Sequence, residues 1–151
     1  MKIYLAADHA GYELKEAVKE YLLSKGMDTD DLGAFSFDEA DDYTDVVIPA
    51  ARKVAEDEKE SRAFVFGGSG QGEAIAANKI PGIRAAVYYG GPLDIVELSR
   101  RHNDANILSF GARFLSQDEA FRAVDCWLET EFESGRHGRR LEKIRAEEFG
   151  A

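Results

Sequence analysis

The chain has 151 residues, of which 44% are hydrophobic and 32% charged, the balance of a globular domain with one core. Its formal net charge of −10 argues against sequence-blind binding to nucleic acid or to an anionic membrane. No apolar run approaches the roughly 20 residues of a membrane span, and the first one is too short for a signal peptide, so we expect a cytoplasmic protein. The single cysteine, Cys126, excludes an internal disulfide and a cysteine-based zinc site.

Short apolar runs alternate with longer amphipathic ones along the chain. In chain order the pattern predicts strand 2–7, helix 11–25, a weak strand 27–32, helix 45–58, strand 63–66, a short helix ending near Lys79, strand 83–88, helix 92–101, strand 106–110, helix 117–132 and helix 141–149. This alternation predicts an α/β fold in one domain over residues 1–151. We expect three α/β/α layers around a five-stranded, parallel, Rossmann-like sheet, followed by a C-terminal helical tail.

Ligands of such sheets bind beyond the carboxyl ends of the strands, so residues that follow a strand are the first candidates for a site. Asp8 and His9 follow the first strand, and Arg113 follows the fifth. Asp8 is equally well suited to cap the next helix, so its position alone does not decide between the two roles.

A glycine-rich turn follows the third strand, with Gly67, Gly68, Gly70 and Gly72 among six residues. Glycines allow backbone amides to approach a ligand, and the start of a helix attracts anions. The turn lacks the Lys-Ser/Thr pair of a phosphate-binding Walker loop and the G-x-G-x-x-G spacing of a dinucleotide site. A tight turn without a ligand is the alternative.

Glu73 stands at the start of the helix beside this turn. The helix dipole favours an ionised carboxylate there, whereas burial would raise its pKa. These opposed effects suit a general base, although a glutamate that only complements the dipole would look the same in sequence.

Other candidates are equally ambiguous on local sequence. His102 and Asn103 end the fourth helix, where both are ordinary termination signals, and Tyr43 suits either a lid or a surface aromatic. Residues 136–145 carry five Arg/Lys and one Glu in an otherwise acidic chain. In a helix, Arg136 and Arg140 would share a face and suit one phosphate, unless the face is merely solvated.

Five ordered blocks resemble the family of type B ribose-5-phosphate isomerases, which also contains galactose-6-phosphate and allose-6-phosphate isomerases. The blocks cover nearly the whole chain: ADHAGYELK at 7–15, DDYTD at 41–45, GGSGQGEAIAANKIPGIRAA at 67–86, SRRHNDANILSFGAR at 99–113 and GRHGRRLEKI at 135–144.

The resemblance implies an aldose–ketose isomerase that acts through an enediol without metal or other cofactor. It implies Glu73 as the base and His102 as the acid for ring opening. The substrate-binding residues that it implies are Asp8, His9, Tyr43, Gly68, Ser69, Gly70, Gln71, Gly72, Asn103, Arg113, Arg136, His137 and Arg140. It also implies a homodimer, with tetramers in some members, whose active site is shared between subunits.

Two departures from the family pattern bear on the chemistry. Many members carry a catalytic cysteine at the position of Gly67, whereas an actinobacterial branch uses a glutamate in GGSGxGE. Glu73 occupies that place here, and Cys126, among apolar residues of a helix, is expected to fill the core. The segment 89–92 (YGGP) does not resemble its usual counterpart, which leaves the identity of the sugar open.

The favoured hypothesis is therefore isomerisation of ribose 5-phosphate to ribulose 5-phosphate. The alternatives are another phosphosugar (allose 6-phosphate, galactose 6-phosphate or a tetrose phosphate) and a non-catalytic module that binds a phosphosugar.

Overall fold

The computed structural model describes residues 1–150 and contains one five-stranded, all-parallel sheet in the order β2-β1-β3-β5-β4. The strands are β1 (Lys2–Ala7), β2 (Asp28–Asp31), β3 (Ser61–Gly67), β4 (Ala85–Tyr88) and β5 (Ile107–Gly111). The helices are α1 (Tyr12–Ser24), α2 (Thr44–Glu56), α3 (Gln71–Ala77), α4 (Asp94–Arg101), α5 (Gln117–Glu129) and α6 (Arg136–Phe149). The predicted α/β fold is confirmed.

Two apolar clusters cover the two faces of the sheet. On one face α1, α4 and α5 pack against the strands around Phe64, Phe110 and the fully buried Trp127. On the other face α2 and α3 pack smaller side chains, such as Val47 and Ala77, against the strands. The central strands are buried on both faces, which explains why they stand out as short apolar runs without alternation.

The last helix begins five residues earlier than the predicted start at Leu141. Two glycines in this region, Gly135 and Gly138, favour a break by their residue type, but only Gly135 has a positive φ, of 59°, and it lies just outside the helix. Gly138 lies inside the first turn. The longer helix places Arg136 and Arg140 one turn apart on the same element.

The winding of the chain separates its candidate residues between the two edges of the sheet. Asp8, Gly67 and Arg113 lie at or just beyond the carboxyl ends of β1, β3 and β5. Helix α4 runs back from the end of β4 towards the start of β5, so its last residues lie at the amino edge. His102, directly after α4, is therefore at the opposite edge of the sheet from Asp8. No helix within residues 1–150 is both long and apolar enough to cross a membrane.

The start of α1 packs against the end of β3 at Gly11. A Cβ added to Gly11 would overlap the carbonyl group of Phe66, and no flexible side chain there can move aside. We expect Gly11→Ala to destabilise the fold by ~1–3 kcal/mol, the usual cost of overpacking, measured as a lower urea midpoint. Gly138→Ala is the control, because only the flexible Ser134 hydroxyl lies near its Cβ. Equal stability of both variants would show that the contact at Gly11 is not restrictive.

Candidate active site

The carboxylate of Glu73 is buried beside Gly67. Glu73 lies in the first turn of α3 and is only 4% exposed. A Cβ added to Gly67 would collide with the Glu73 carboxylate, so this group occupies the space that a side chain at position 67 would need. Burial raises the pKa of Glu73; a hydrogen bond from its own backbone N–H lowers this pKa, and the negative charge of Asp8 raises it.

The glycine-rich turn is fixed by contacts with its neighbours. Gly70, with a φ of 77°, directly precedes α3, and its carbonyl accepts a hydrogen bond of 2.6 Å from the buried Ser109 hydroxyl. The Ser69 hydroxyl accepts a hydrogen bond of 3.4 Å from the backbone N–H of Gln71. The turn therefore offers a preformed set of amides at the start of a helix.

Tyr43 covers this turn. A Cβ on Gly72 would lie 2.8 Å from the Tyr43 hydroxyl oxygen, so glycine at 72 allows the ring to approach the backbone closely. Tyr43 precedes the first residue of α2 and is partly buried. Tyr43 thus packs against the glycine-rich turn, and its role as a lid stays a prediction.

Asp8 is not the N-cap of α1, because the helix begins at Tyr12 and Gly11 occupies the cap position. Its carboxylate instead accepts a hydrogen bond of 3.1 Å from the backbone N–H of Gly11. Asp8 is 9% exposed and lies close enough to Glu73 to raise the pKa of that group. The two carboxylates thus belong to one cluster at the carboxyl edge.

His9 has a partner that the sequence did not reveal. One carboxylate oxygen of Asp41 lies 2.7 Å from Nδ1 of His9 and accepts a hydrogen bond of 3.1 Å from the His9 backbone N–H. This contact raises the pKa of His9. Asp41 is the first residue of the DDYTD block, for which the resemblance implies a role of Tyr43 alone. The aspartates of that block were the available signal.

Arg113 adds positive charge to the same edge. Its backbone N–H donates a hydrogen bond of 3.1 Å to the carbonyl of Gly68, and a Cβ on Gly68 would lie 3.0 Å from its guanidinium. His9 and Arg113 both line an open cavity of about 510 Å³. A histidine and an arginine on one cavity can both donate hydrogen bonds to a phosphate group, whereas Glu13 and Glu39, which line the same cavity, carry negative charge.

The remaining candidates form a second cluster at the amino edge. The rings of His102 and His137 stack with centroids 4.0 Å apart and planes inclined by 11°. Desolvation lowers the pKa of His137, and the charges of His102 and Arg136 lower it further. Arg140 lies one helical turn beyond Arg136, and Asn103 is exposed in the turn after α4. One chain therefore holds its candidate residues in two clusters and does not bring Glu73 and His102 together.

Cys126 lies on α5, half-buried against the core, as predicted. Burial raises the pKa of its thiol, so the thiolate that a nucleophile or base requires is disfavoured.

Comparison with known proteins identifies the family of this chain. A sequence model described as Ribose/Galactose Isomerase matches residues 3–144. The chain belongs to the ribose/galactose isomerase family. Ribose-5-phosphate isomerase B of Mycolicibacterium paratuberculosis is 41% identical over 143 residues, which cover 94% of this chain and 88% of the relative.

Solved structures of the ribose/galactose isomerase family agree with the fold. The ribose-5-phosphate isomerase B of Mycoplasma genitalium, crystallised with bound ribulose 5-phosphate, superposes with a TM-score of 0.95 at 36% identity. That match covers 99% of this chain and 97% of the other. The Clostridium thermocellum protein gives a TM-score of 0.93 at 42% identity and covers 99% of both chains. The resemblance found in the sequence is confirmed at the level of the family.

The contact between Asp41 and His9 leads to a prediction about charge. Asp41→Asn should lower the pKa of His9 towards its ordinary value of 6.5, because the largest cause of the increase is removed. The folded-state pKa is the raised one, so the stability that this contact adds is fully present below about pH 6.5 and is lost as the pH rises through the raised pKa.

An NMR titration of the histidine ring protons tests this prediction. Asp42→Asn is the control, since Asp42 is exposed and adjacent but makes no hydrogen bond to His9. An unchanged His9 titration in Asp41→Asn would show that the contact does not set the charge of the ring.

Proposed function

We propose that the protein interconverts ribose 5-phosphate and ribulose 5-phosphate, with Glu73 as the base that moves the proton between carbons 1 and 2. The observation that carries this assignment is the buried Glu73 carboxylate in the space beside Gly67. The family resemblance places a catalytic cysteine at position 67 in other members, so the carboxylate occupies the region where their base is attached. The names of the relatives support ribose 5-phosphate over a six-carbon sugar.

The chemistry requires one base and a means to stabilise negative charge. Glu73 removes the proton from carbon 2 of the open-chain aldose, and the electrons of that bond form the enediolate. Backbone amides of the glycine-rich turn, residues 68–72, stabilise the oxygen that becomes negative. The hydroxyl proton on the oxygen of carbon 2 then passes to the oxygen of carbon 1, which moves the negative charge to the oxygen of carbon 2. Glu73 returns its proton to carbon 1, and the ketose forms. A carboxylate with a raised pKa accepts this proton more readily than an ordinary glutamate does.

The phosphate and the ring oxygen require further groups. Arg113 offers positive charge at the carboxyl edge, with His9 on the same cavity, and Arg136 and Arg140 offer it at the amino edge. His102 serves as the acid that opens the sugar ring, with Asn103 beside it. Binding the phosphate far from the reacting carbons holds the small substrate in the orientation that the proton transfer needs.

A homodimer accounts for the separation of the two clusters. The Glu73 cluster of one chain and the His102 cluster of the same chain lie at opposite edges of one sheet, so neither edge contains the complete set. A second copy that places its amino edge over the carboxyl edge of the first would complete the set. Ile75 on α3 is 63% exposed and Phe114, beside Arg113, is also 63% exposed, and both offer apolar surface for such a partner.

The role of Glu73 can be tested by Glu73→Gln. We expect kcat to fall by ~10²–10⁴-fold, the usual contribution of a general base, while the affinity for ribose 5-phosphate changes little. In the wild type, kcat/KM should decline on the acid side with a pKa above the ordinary 4.5, because only the ionised carboxylate removes the proton.

Two controls accompany this variant. Since the folded-state pKa of Glu73 is raised, the wild type should lose stability as the pH rises from about 4.5 through that pKa, and Glu73→Gln should lack this decline if it is folded. Alkylation of Cys126 should leave the activity unchanged. A Glu73→Gln enzyme with near wild-type kcat, or rapid inactivation by alkylation that substrate prevents, would show that the base is another group.

The shared site can be tested by mixing two inactive variants, Glu73→Gln and His102→Asn. A mixed dimer would contain one site with both substitutions and one intact site. Dissociation and reassociation of an equal mixture should therefore restore about a quarter of the wild-type activity, since half of the dimers are mixed. If each chain forms a complete site by itself, no activity returns, and the proposed arrangement is wrong.

A further inference from the structure

A group of three side chains at the amino edge has the composition of a metal site. The ligand atoms of His102, Glu133 and His137 all lie within 4.8 Å of one another. These residues come from the end of α4, the segment before α6 and the first turn of α6. The backbone holds them in place, because the N–H of Glu133 donates a hydrogen bond of 2.9 Å to the carbonyl of Arg101.

None of these three side chains has another partner within residues 1–150. The two rings stack on each other without a hydrogen bond, and Nε2 of His102 lies 3.9 Å from a carboxylate oxygen of Glu133, too far for one. Glu133 is 59% exposed and free to rotate. In contrast, His9 is bound to Asp41. The two histidines at this edge thus keep their ring nitrogens available to a ligand.

We propose that His102, Glu133 and His137 bind a divalent transition-metal ion of the zinc type. Two imidazole nitrogens and one carboxylate oxygen are a ligand set that zinc accepts, at about 2.0–2.2 Å, with a fourth position left for water. The stacked rings hold their nitrogens in nearly parallel planes, so one ion requires the rings to turn until their lone pairs converge and the exposed Glu133 carboxylate to rotate towards it.

The surrounding charges identify Glu133 as the decisive ligand. Arg136 and Arg140 lie on the same helix as His137, and their positive charges oppose a bound cation. The carboxylate of Glu133 supplies the negative charge that offsets them.

The bound ion inhibits the enzyme. A coordinated His102 has no lone pair at that nitrogen to carry the proton needed for ring opening, and the ion lies next to the arginines that face the phosphate. This consequence rests on the proposed role of His102 in isomerisation, whereas binding of the ion does not.

The test uses the untagged, full-length protein, freed of metal and kept in a phosphate-free buffer. Zn²⁺ binding is measured by calorimetry, and Co²⁺ is used as a coloured probe of the ligand geometry. We expect one Zn²⁺ per chain at this site and weaker binding in Glu133→Gln by more than about tenfold, since even outer-shell partners of a metal ligand contribute that much. Glu131→Gln is the matched control, because it removes the same charge from an exposed residue two positions away.

The activity assay is a separate measurement. Glu133→Gln should keep the isomerase activity without metal and should resist a Zn²⁺ concentration that inhibits both the wild type and Glu131→Gln. The proposal is overturned if no saturable binding occurs, or if Glu133→Gln and His137→Gln both bind Zn²⁺ like the wild type. Binding at this site without inhibition would overturn the inhibitory consequence, and absence of isomerase activity without metal would instead refute the proposed function.

Discussion

The absence of a side chain at Gly67 is the constraint on which the site depends. A Cβ there and the buried Glu73 carboxylate would compete for the same space. An isolated buried carboxylate is costly, but Glu73 lies at the start of α3 and accepts a hydrogen bond from its own amide, and both effects favour the ionised form. The balance leaves its pKa raised. A residue in this state can take up a proton and release it again within one turnover, which an exposed glutamate at neutral pH does less well.

The topology of the sheet distributes the other functional groups. The residues that follow each strand lie at the carboxyl edge, so Asp8, Glu73 and Arg113 are all located there although they are far apart in sequence. Each helix returns the chain to the amino edge, and α4 therefore leaves His102 at that side. A parallel sheet cannot place residues from both ends of its layers in one cavity of a single chain. A site that needs both sets requires two chains, and an isologous dimer then forms two such sites at once.

The sequence predicted the fold well because local signals and burial agree. Apolar runs such as AFVF mark strands covered on both faces, and amphipathic segments mark the helices between them. The predicted start of α6 was wrong because two nearby glycines indicate a break, while only Gly135 needs a positive φ.

His9 and Asp41 are 32 positions apart in sequence, and Asp41 lies in a loop without any periodic pattern. The sequence therefore shows both residues but does not predict that they form a contact. The position of His102 at the amino edge could have been predicted, because a residue that ends a crossover helix lies just before the next strand. The rule that ligands bind beyond the carboxyl ends of strands, however, considers only the carboxyl edge.

The buried charged groups outside the two clusters are paired. Lys15 pairs with Asp31 at 2.7 Å, and Arg100 pairs with Asp104 at 2.7 Å. Glu73, His102 and His137 differ, because no other side chain within residues 1–150 forms a hydrogen bond with them. Titratable groups without a side-chain partner at such positions are candidates for binding a ligand. These groups also limit selectivity, because an imidazole that can donate or accept a substrate proton can also coordinate a metal ion, which the positive charges of Arg136 and Arg140 oppose. The amino-edge cluster is thus suited to an anionic sugar while it remains exposed to a competing cation through Glu133.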